Sequence, residues 1–346
     1  MSLKDWLKAI TTGEATLRDF LMIVTRYMFV EAQSKYNFYI KKEYFINNMK
    51  KSEATIMVLI GKYAGVWEVS LKRIYEYSGK LDVVLINAGG FNRELSIKLS
   101  RDYGFSYFES YPNNIVAAQN YFIAKYLGSE VIIKMDDDVF VTKNTFKNLL
   151  RAYHRLKSEG LDIGFIAPVL NVNNYSYHHF LKTLGLLEKY EKIFGKPLIF
   201  KGYAKRNIWQ NPDVAKYIWE KSLPLNYVAQ IFEDKNKDSI EIIPTRFSIG
   251  CILFEKSFLM RFYGYLTPRP RFKLDTSKAF DSSQITKLLL PYGDEESINF
   301  FADTTMHGRF LVLDSFAGHL SYRPQSKYML DWFRNNKERL LEDLNY

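Results

Sequence analysis

Nearly unbroken apolar runs alternate with helical periodicities through the first half of the chain. Ala54 to Ile60 is such a run and stops at Gly61, the pattern of a strand buried on both faces. Asp82 to Asn87 repeats it and ends at Gly89-Gly90, and Phe105 to Glu109, Val131 to Met135 and Asp162 to Val169 read as further strands. Between them the apolar positions recur at helical spacing. Helices are expected over 66–77, closed by Gly79, and over 92–103, stopped by Gly104. A third, capped by Asn113 or Asn114, carries the pairs Ile115/Val116, Phe122/Ile123 and Tyr126/Leu127. Phe146, Leu149, Leu150 and Tyr153 mark one face of a fourth. Strand and helix alternating at this spacing predict an α/β fold, a mixed, mostly parallel central sheet flanked by helices. Ligands of such sheets bind at the carboxyl ends of the strands.

Past residue 170 the alternation lapses. Helical segments over 180–194 and 213–221, separated by Gly195-Lys-Pro197 and Asn211-Pro212, suggest an insertion over 171–244. Ile249 to Glu255 resumes a strand, and 261–273 is a basic, Pro-containing loop with Arg269 and Arg271. A helix from Asp294 through Ala302, a strand over 310–313 and an amphipathic helix over 328–344 complete the pattern. The expected organisation is a helical N-terminal extension (1–50), a main α/β domain (51–325) and a C-terminal helix (326–346). Within the domain, 54–170 and 245–325 form two halves on either side of the insertion. The longest greasy stretch, Phe20 to Val30, is interrupted by Thr25 and Arg26, where a span needs about 20 apolar residues. It reads as an amphipathic helix packed on the body. The N-terminus lacks a signal-peptide layout. A cytoplasmic protein is expected, with peripheral membrane contact left open.

Composition narrows the classes. A hydrophobic fraction of 47% excludes a mainly disordered chain. Lysine and arginine number 48 against 38 acids, a formal charge of +10 that favours anionic partners. The single cysteine, Cys251, excludes an internal disulfide framework and a cysteine-rich zinc site.

The strand over 131–135 runs directly into Asp136-Asp137-Asp138. Adjacent carboxylates at a strand mouth repel one another unless something positive lies between them. All-oxygen ligands suit Mg²⁺ or Mn²⁺, whose shell is commonly completed by substrate phosphates. An Asp cluster can also serve to cap the following helix, through Asp138 or Asn144.

Residues 113–140 resemble the stretch that leads to the DxD motif of GT-A fold glycosyltransferases, especially the inverting family 2. Asn114-Ile-Val-Ala-Ala-Gln-Asn120 corresponds to the family's N-x-G-x-A-x-A-R-N segment, with Gln119 in place of the usual arginine. The resemblance implies a Rossmann-like GT-A fold. It implies that Asp136, with Asp137 beside it, contacts the nucleotide sugar or metal, and that Asp138 holds a divalent ion on the donor diphosphate. Asn87 stands where the family has an acid near the base or ribose, and Asn120 matches a nucleotide-side position. Gly250, in Gly250-Cys-Ile-Leu-Phe254, resembles the glycine turn under the donor sugar. Gly293-Asp-Glu-Glu296 resembles the E-D element, with Glu295 at the catalytic-base position and Asp294 in reserve. His319 corresponds to a late histidine that completes the metal site or touches the diphosphate. Arg269, Arg271 or Arg323 would close over the phosphates. His178-His179 receives no metal role.

The expected activity is therefore metal-dependent transfer from a nucleoside-diphosphate sugar, with a UDP-sugar favoured and Mn²⁺ or Mg²⁺ as cofactor. The acceptor, whether glycan, lipid or protein, is left open, and no nucleic-acid partner is expected. Two rivals explain part of the pattern. A nucleotidyltransferase would use Gly61-Lys-Tyr-Ala-Gly65 as a phosphate loop. A non-enzymatic basic protein binding nucleic acid or membrane would explain the charge and aromatics, but not acids gathered at strand ends.

Overall fold

A computed structural model describes residues 11–13, 16, 35–61, 63–199, 207–267 and 293–345. The apolar runs become the middle of a ten-stranded sheet. Its strands are β1 (Lys42–Ile46), β2 (Ala54–Leu59), β3 (Asp82–Ala88), β4 (Ser106–Tyr111), β5 (Val131–Asp136), β6 (Val139–Val141), β7 (Ile163–Leu170), β8 (Ile240–Ile242), β9 (Cys251–Glu255) and β10 (Gly308–His319). They lie in the order β1-β4-β3-β2-β5-β9-β7-β10-β6, and β8 also pairs with β10. β2, β3, β4, β5, β7 and β10 point one way; β1, β6, β8 and β9 point the other. Every residue of β2, β3 and β7 is buried, as the unbroken apolar runs require.

The helices are α1 (Ala64–Tyr77), α2 (Arg93–Asp102), α3 (Ile115–Lys125), α4 (Thr145–Ser158), α5 (Tyr177–Thr183), α6 (Leu187–Phe194), α7 (Asn207–Gln210), α8 (Pro212–Ser222), α9 (Leu225–Asn236), α10 (Lys256–Met260), α11 (Asp294–Thr304) and α12 (Ser326–Glu342). Asn114 caps α3 as expected, its side chain accepting from the Ala117 N–H at 3.1 Å. Among the described residues no helix is long and apolar enough to cross a membrane. The Phe20 to Val30 stretch lies outside the described residues.

Three features depart from the sequence reading. Residues 42–46, placed in a helical extension, are the edge strand β1, antiparallel to β4. Its Phe45 ring enters an aromatic cluster, 4.5 Å from Tyr126 and 5.5 Å from Phe122, and that packing outweighs the charged residues around it. The expected strand over 310–313 is twelve residues long and continues to His319. The segment 171–244 is mainly helical as expected, yet it is built into the sheet. It supplies β8, and α9 lays Leu225, Val228, Ala229 and Phe232 inward, with the Phe232 ring stacked 5.0 Å from Phe316 of β10.

Candidate functional site

Strand register brings the distant acidic and imidazole groups together. β5 ends at Asp136, whose N–H donates to the Gly250 carbonyl at 2.8 Å, just ahead of β9. The chain turns through Asp137 and Asp138 into β6, whose Val139 stands opposite His319 at the end of β10. The Leu320 N–H donates to the Asp138 carbonyl at 3.0 Å and closes the corner. Across Val312 and Phe316 the pairing of β10 with β7 shifts, so the strand takes up extra residues before His319. His319 Nε2 then lies 3.7 Å from Asp138 Oδ1, with both side chains more than nine-tenths buried.

The tautomer of His319 follows from its neighbours. Nδ1 lies 2.6 Å from the Val172 carbonyl, which can only accept, so Nδ1 carries the proton. Nε2 is left with a lone pair turned toward Asp138. Burial pushes the His319 pKa down, the Val172 contact opposing it, so the ring is held neutral. Asn171 Oδ1 accepts from the His319 N–H at 2.8 Å. Trp219 of α8 donates from Nε1 to the His319 and Leu320 carbonyls, both at 3.0 Å. Gly318 makes room for that ring, since a Cβ there would stand 2.5 Å from Trp219 Cη2. The 171–244 segment thus orients the histidine, a contribution the sequence reading did not assign to it.

Asp136 and Asp137 face other partners. Period two on β5 puts Lys134 and Asp136 on one face. The buried Lys134 ammonium donates to Asp136 Oδ1 at 2.6 Å and to the Ile249 carbonyl at 3.0 Å, and lies 3.6 Å from Asp294 Oδ2. Burial alone would lower its pKa, but Asp136 and then Asp294 hold it above the usual lysine value. Asp137 Oδ2 accepts from the Gly61 N–H at 2.9 Å and from Trp67 Nε1 at 2.7 Å. It ties the ends of β5 and β2 to α1, and it takes up the Gly61 N–H that a phosphate loop at Gly61-Lys-Tyr-Ala-Gly65 would need.

These groups line a cavity of about 750 Å³. Asp136, Asp137, Asp138, Lys134 and His319 form its floor, with Asp294 and Glu295 at the start of α11 on one wall. Asp294 Oδ2 accepts from Gln119 Nε2 at 3.2 Å, and its Oδ1 accepts from the Glu295 N–H at 2.9 Å. Glu295 Oε1 takes two Arg246 donors, Nη2 at 2.7 Å and Nε at 3.0 Å, and Arg246 Nη1 reaches Glu296 at 2.7 Å. Arg323 and the rings of Phe91, Trp209 and Tyr322 complete the walls.

Three expected site residues, Asn87, Asn120 and Gly250, do not line the cavity. Asn87 is fully buried, and its amide locks the 87–91 turn by donating to the Phe91 carbonyl and accepting from the Phe91 N–H. Asn120 is spent on the 263–267 segment, donating to the Tyr265 carbonyl at 2.8 Å and accepting from the Tyr265 N–H at 2.7 Å. Gly250 supports the floor from beneath, where a Cβ would touch Leu170, Val139 and His319 at 3.4–3.7 Å. Arg269 and Arg271 lie outside the described residues. Lys134 and Arg246 were not expected. A lysine inside Val131-Ile-Ile-Lys-Met135 was the available signal for the first, and nothing in its sequence neighbourhood marked the second.

Among the described residues, no three or more His, Cys, Asp or Glu side chains are grouped so as to hold a metal ion. Two donors do converge. Asp138 and His319 Nε2 are electron-pair donors facing one another, with the only imidazole proton pointing away to Val172. A divalent cation with few protein ligands, its shell filled by phosphate oxygens and water, fits that pair. Burial, then the Asp136 charge, raises the Asp138 pKa; burial, then Asp138, raises that of Asp137. An acid whose folded pKa is raised keeps protons the unfolded chain has lost, so stability falls as pH rises through that window. With divalent ions chelated, urea midpoints should therefore fall from about pH 4 toward neutrality. Asp138→Asn should flatten this slope; parallel slopes would show that the carboxyl is not the source.

No protein-family model matches the chain, and no curated protein matches it. Among solved structures, the chain is similar to the mannosyltransferase PcManGT from Pyrobaculum calidifontis in complex with GDP-Man and Mn²⁺. Identity is 13% over 89% of this chain and 68% of that chain, with a TM-score of 0.44. It is also similar to S. aureus TarS 1-349, at 9% identity over 81% of this chain and 63% of that one, with a TM-score of 0.40.

Proposed function

We propose that this chain is a metal-dependent glycosyltransferase of the GT-A kind, moving a sugar from a nucleoside-diphosphate sugar to an acceptor hydroxyl. The observation that carries the reading is the convergence of the buried Asp138 carboxylate and the neutral His319 Nε2 at the carboxyl ends of β5 and β10. Asp138 and His319 would hold the divalent ion, Mn²⁺ or Mg²⁺, in the floor of the cavity. When bound, such an ion offsets the negative charge that grows on a departing diphosphate. Arg246 and Arg323, on the cavity wall, add positive charge near the same anion.

The acceptor hydroxyl must lose its proton as its oxygen attacks the anomeric carbon. Glu295 is the proposed base. Asp294 beside it accepts from Gln119 through one oxygen and from the Glu295 N–H through the other, which suits it to framing the wall. Arg246 fixes the Glu295 carboxylate by its Oε1. A base opposite the leaving group corresponds to inversion of configuration. Glu295→Gln should lower transfer by about 10²–10⁴-fold while donor affinity stays within a few-fold, measured by product formation and by calorimetric titration of the donor. Transfer at the wild-type rate would move the base elsewhere.

The direct test of the donor reading is thermal. Uridine and guanosine diphosphates and their sugars, each with Mn²⁺ or with chelator, should separate into stabilising and inert ligands. A ligand at about 100 times its Kd stabilises by about 2.7 kcal/mol. A melting curve unmoved by every nucleotide would remove the donor site.

A further inference from the structure

Lys134 is an unusual tenant of a central strand. It lies between Ile133 and Met135 on β5, flanked by β2 and β9, with its side chain 2% exposed. A charge at that depth is costly unless paired. Its three neighbours at or near bonding distance are the Asp136 carboxylate, the Ile249 carbonyl and the Asp294 carboxylate. These belong to three parts of the chain, the end of β5, the approach to β9 and the start of α11. The ammonium is therefore the hub that joins the acidic triplet to the acidic helix start, and it takes up one oxygen, Oδ1, of Asp136.

We infer that Lys134 is a built-in counter-cation of the donor pocket, a positioning residue that holds Asp136 and Asp294 together and withholds Asp136 from divalent-ion binding. The inference rests on the metal reading above for its probe and goes beyond it in assigning the acids unequal roles. Asp138 and His319 face the ion, whereas Asp136 and Asp294 share the one positive charge of Lys134. A fixed monovalent charge also lowers the repulsion that two further carboxylates would exert on an incoming diphosphate.

The sign of one measurement separates this role from a merely structural one. Free Mn²⁺ is followed by electron paramagnetic resonance in titrations of the nucleotide-free protein at pH 8, with circular dichroism to verify folding. Lys134→Met releases two carboxylates toward the ion, so Mn²⁺ should bind about tenfold tighter or more. A purely structural lysine would leave affinity unchanged or weaken it, and either result in folded protein overturns the inference. If the wild type binds no Mn²⁺ but Lys134→Met gains a site, the inference stands and the metal reading of the wild type fails. If Lys134→Met does not fold, the comparison passes to K134M/D136N, which removes the pair together. That variant should lose no more than about threefold in Mn²⁺ affinity, since Asp136 is not among the ligands and Asp294 has lost its counter-charge. A tenfold or greater loss would show that Asp136 is a ligand and would overturn the inference.

Discussion

Asp138→Ala is expected to reduce Mn²⁺-dependent sugar transfer by at least about 10²–10³-fold, with the midpoint of thermal unfolding unchanged or raised. The loss follows from removing one of two protein donors that face the proposed ion, at the point where leaving-group charge is offset. The stability expectation has the opposite sign from most buried substitutions. Burial, then the Asp136 charge, raises the Asp138 pKa, so the metal-free fold carries this buried acid at a cost that alanine removes. The backbone of the corner is held by the Leu320 N–H on the Asp138 carbonyl, which the substitution leaves in place. Turnover with excess Mn²⁺, together with melting in chelator, measures both. Wild-type turnover would falsify the metal assignment; a melting point lowered by many degrees would mean that Asp138 is a structural group.

The largest loss of stability is expected for Arg73→Met. Arg73 is fully buried in α1, and its Nη2 lies 2.8 Å from Asp343 Oδ2, a carboxylate equally excluded from water. The same guanidinium donates to the Val141 carbonyl of β6 at 2.6 Å and to the Leu340 carbonyl of α12 at 3.0 Å. Asp343 also accepts from the Asn226 N–H at the start of α9. One side chain thus binds four elements that meet behind the acidic corner. Removing it strands a buried carboxylate and two carbonyls, a change that costs about 3–5 kcal/mol. Arg73→Met with Asp343→Leu should recover much of that loss, because the penalty lies in the orphaned charge rather than in the missing attraction. Urea unfolding of the two variants decides it, and a double variant as unstable as the single would contradict the account.

The parts of the fold legible in the sequence are those where one physical signal dominates. β2, β3 and β7 are nearly continuous apolar runs because both sheet faces are covered, and their shortness between turn residues marks them as strands rather than buried helices. β6 and β8 have three residues each and carry too few positions to show a period. The stripe Leu225, Val228, Ala229, Phe232 was available for α9, but its start behind Pro224 hid it. At the site, Asp136, Asp137, Asp138, Asp294, Glu295 and His319 all line one cavity. Asn87 and Asn120 lie away from the cavity for a reason the sequence does not carry: an amide that locks a turn or a loop and an amide that reads a ligand have the same composition. Only the hydrogen-bond partners separate them. The pairing of Lys134 with Asp136 depends on the pleat, and its reach to Asp294 spans 160 positions of chain, beyond any local pattern.

β10 pairs with β6, β7 and β8 and ends in the imidazole. A strand bonded along both edges is expected to exchange its amides slowly. The imidazole is thus held by paired backbone on both sides of its strand and not by a loop.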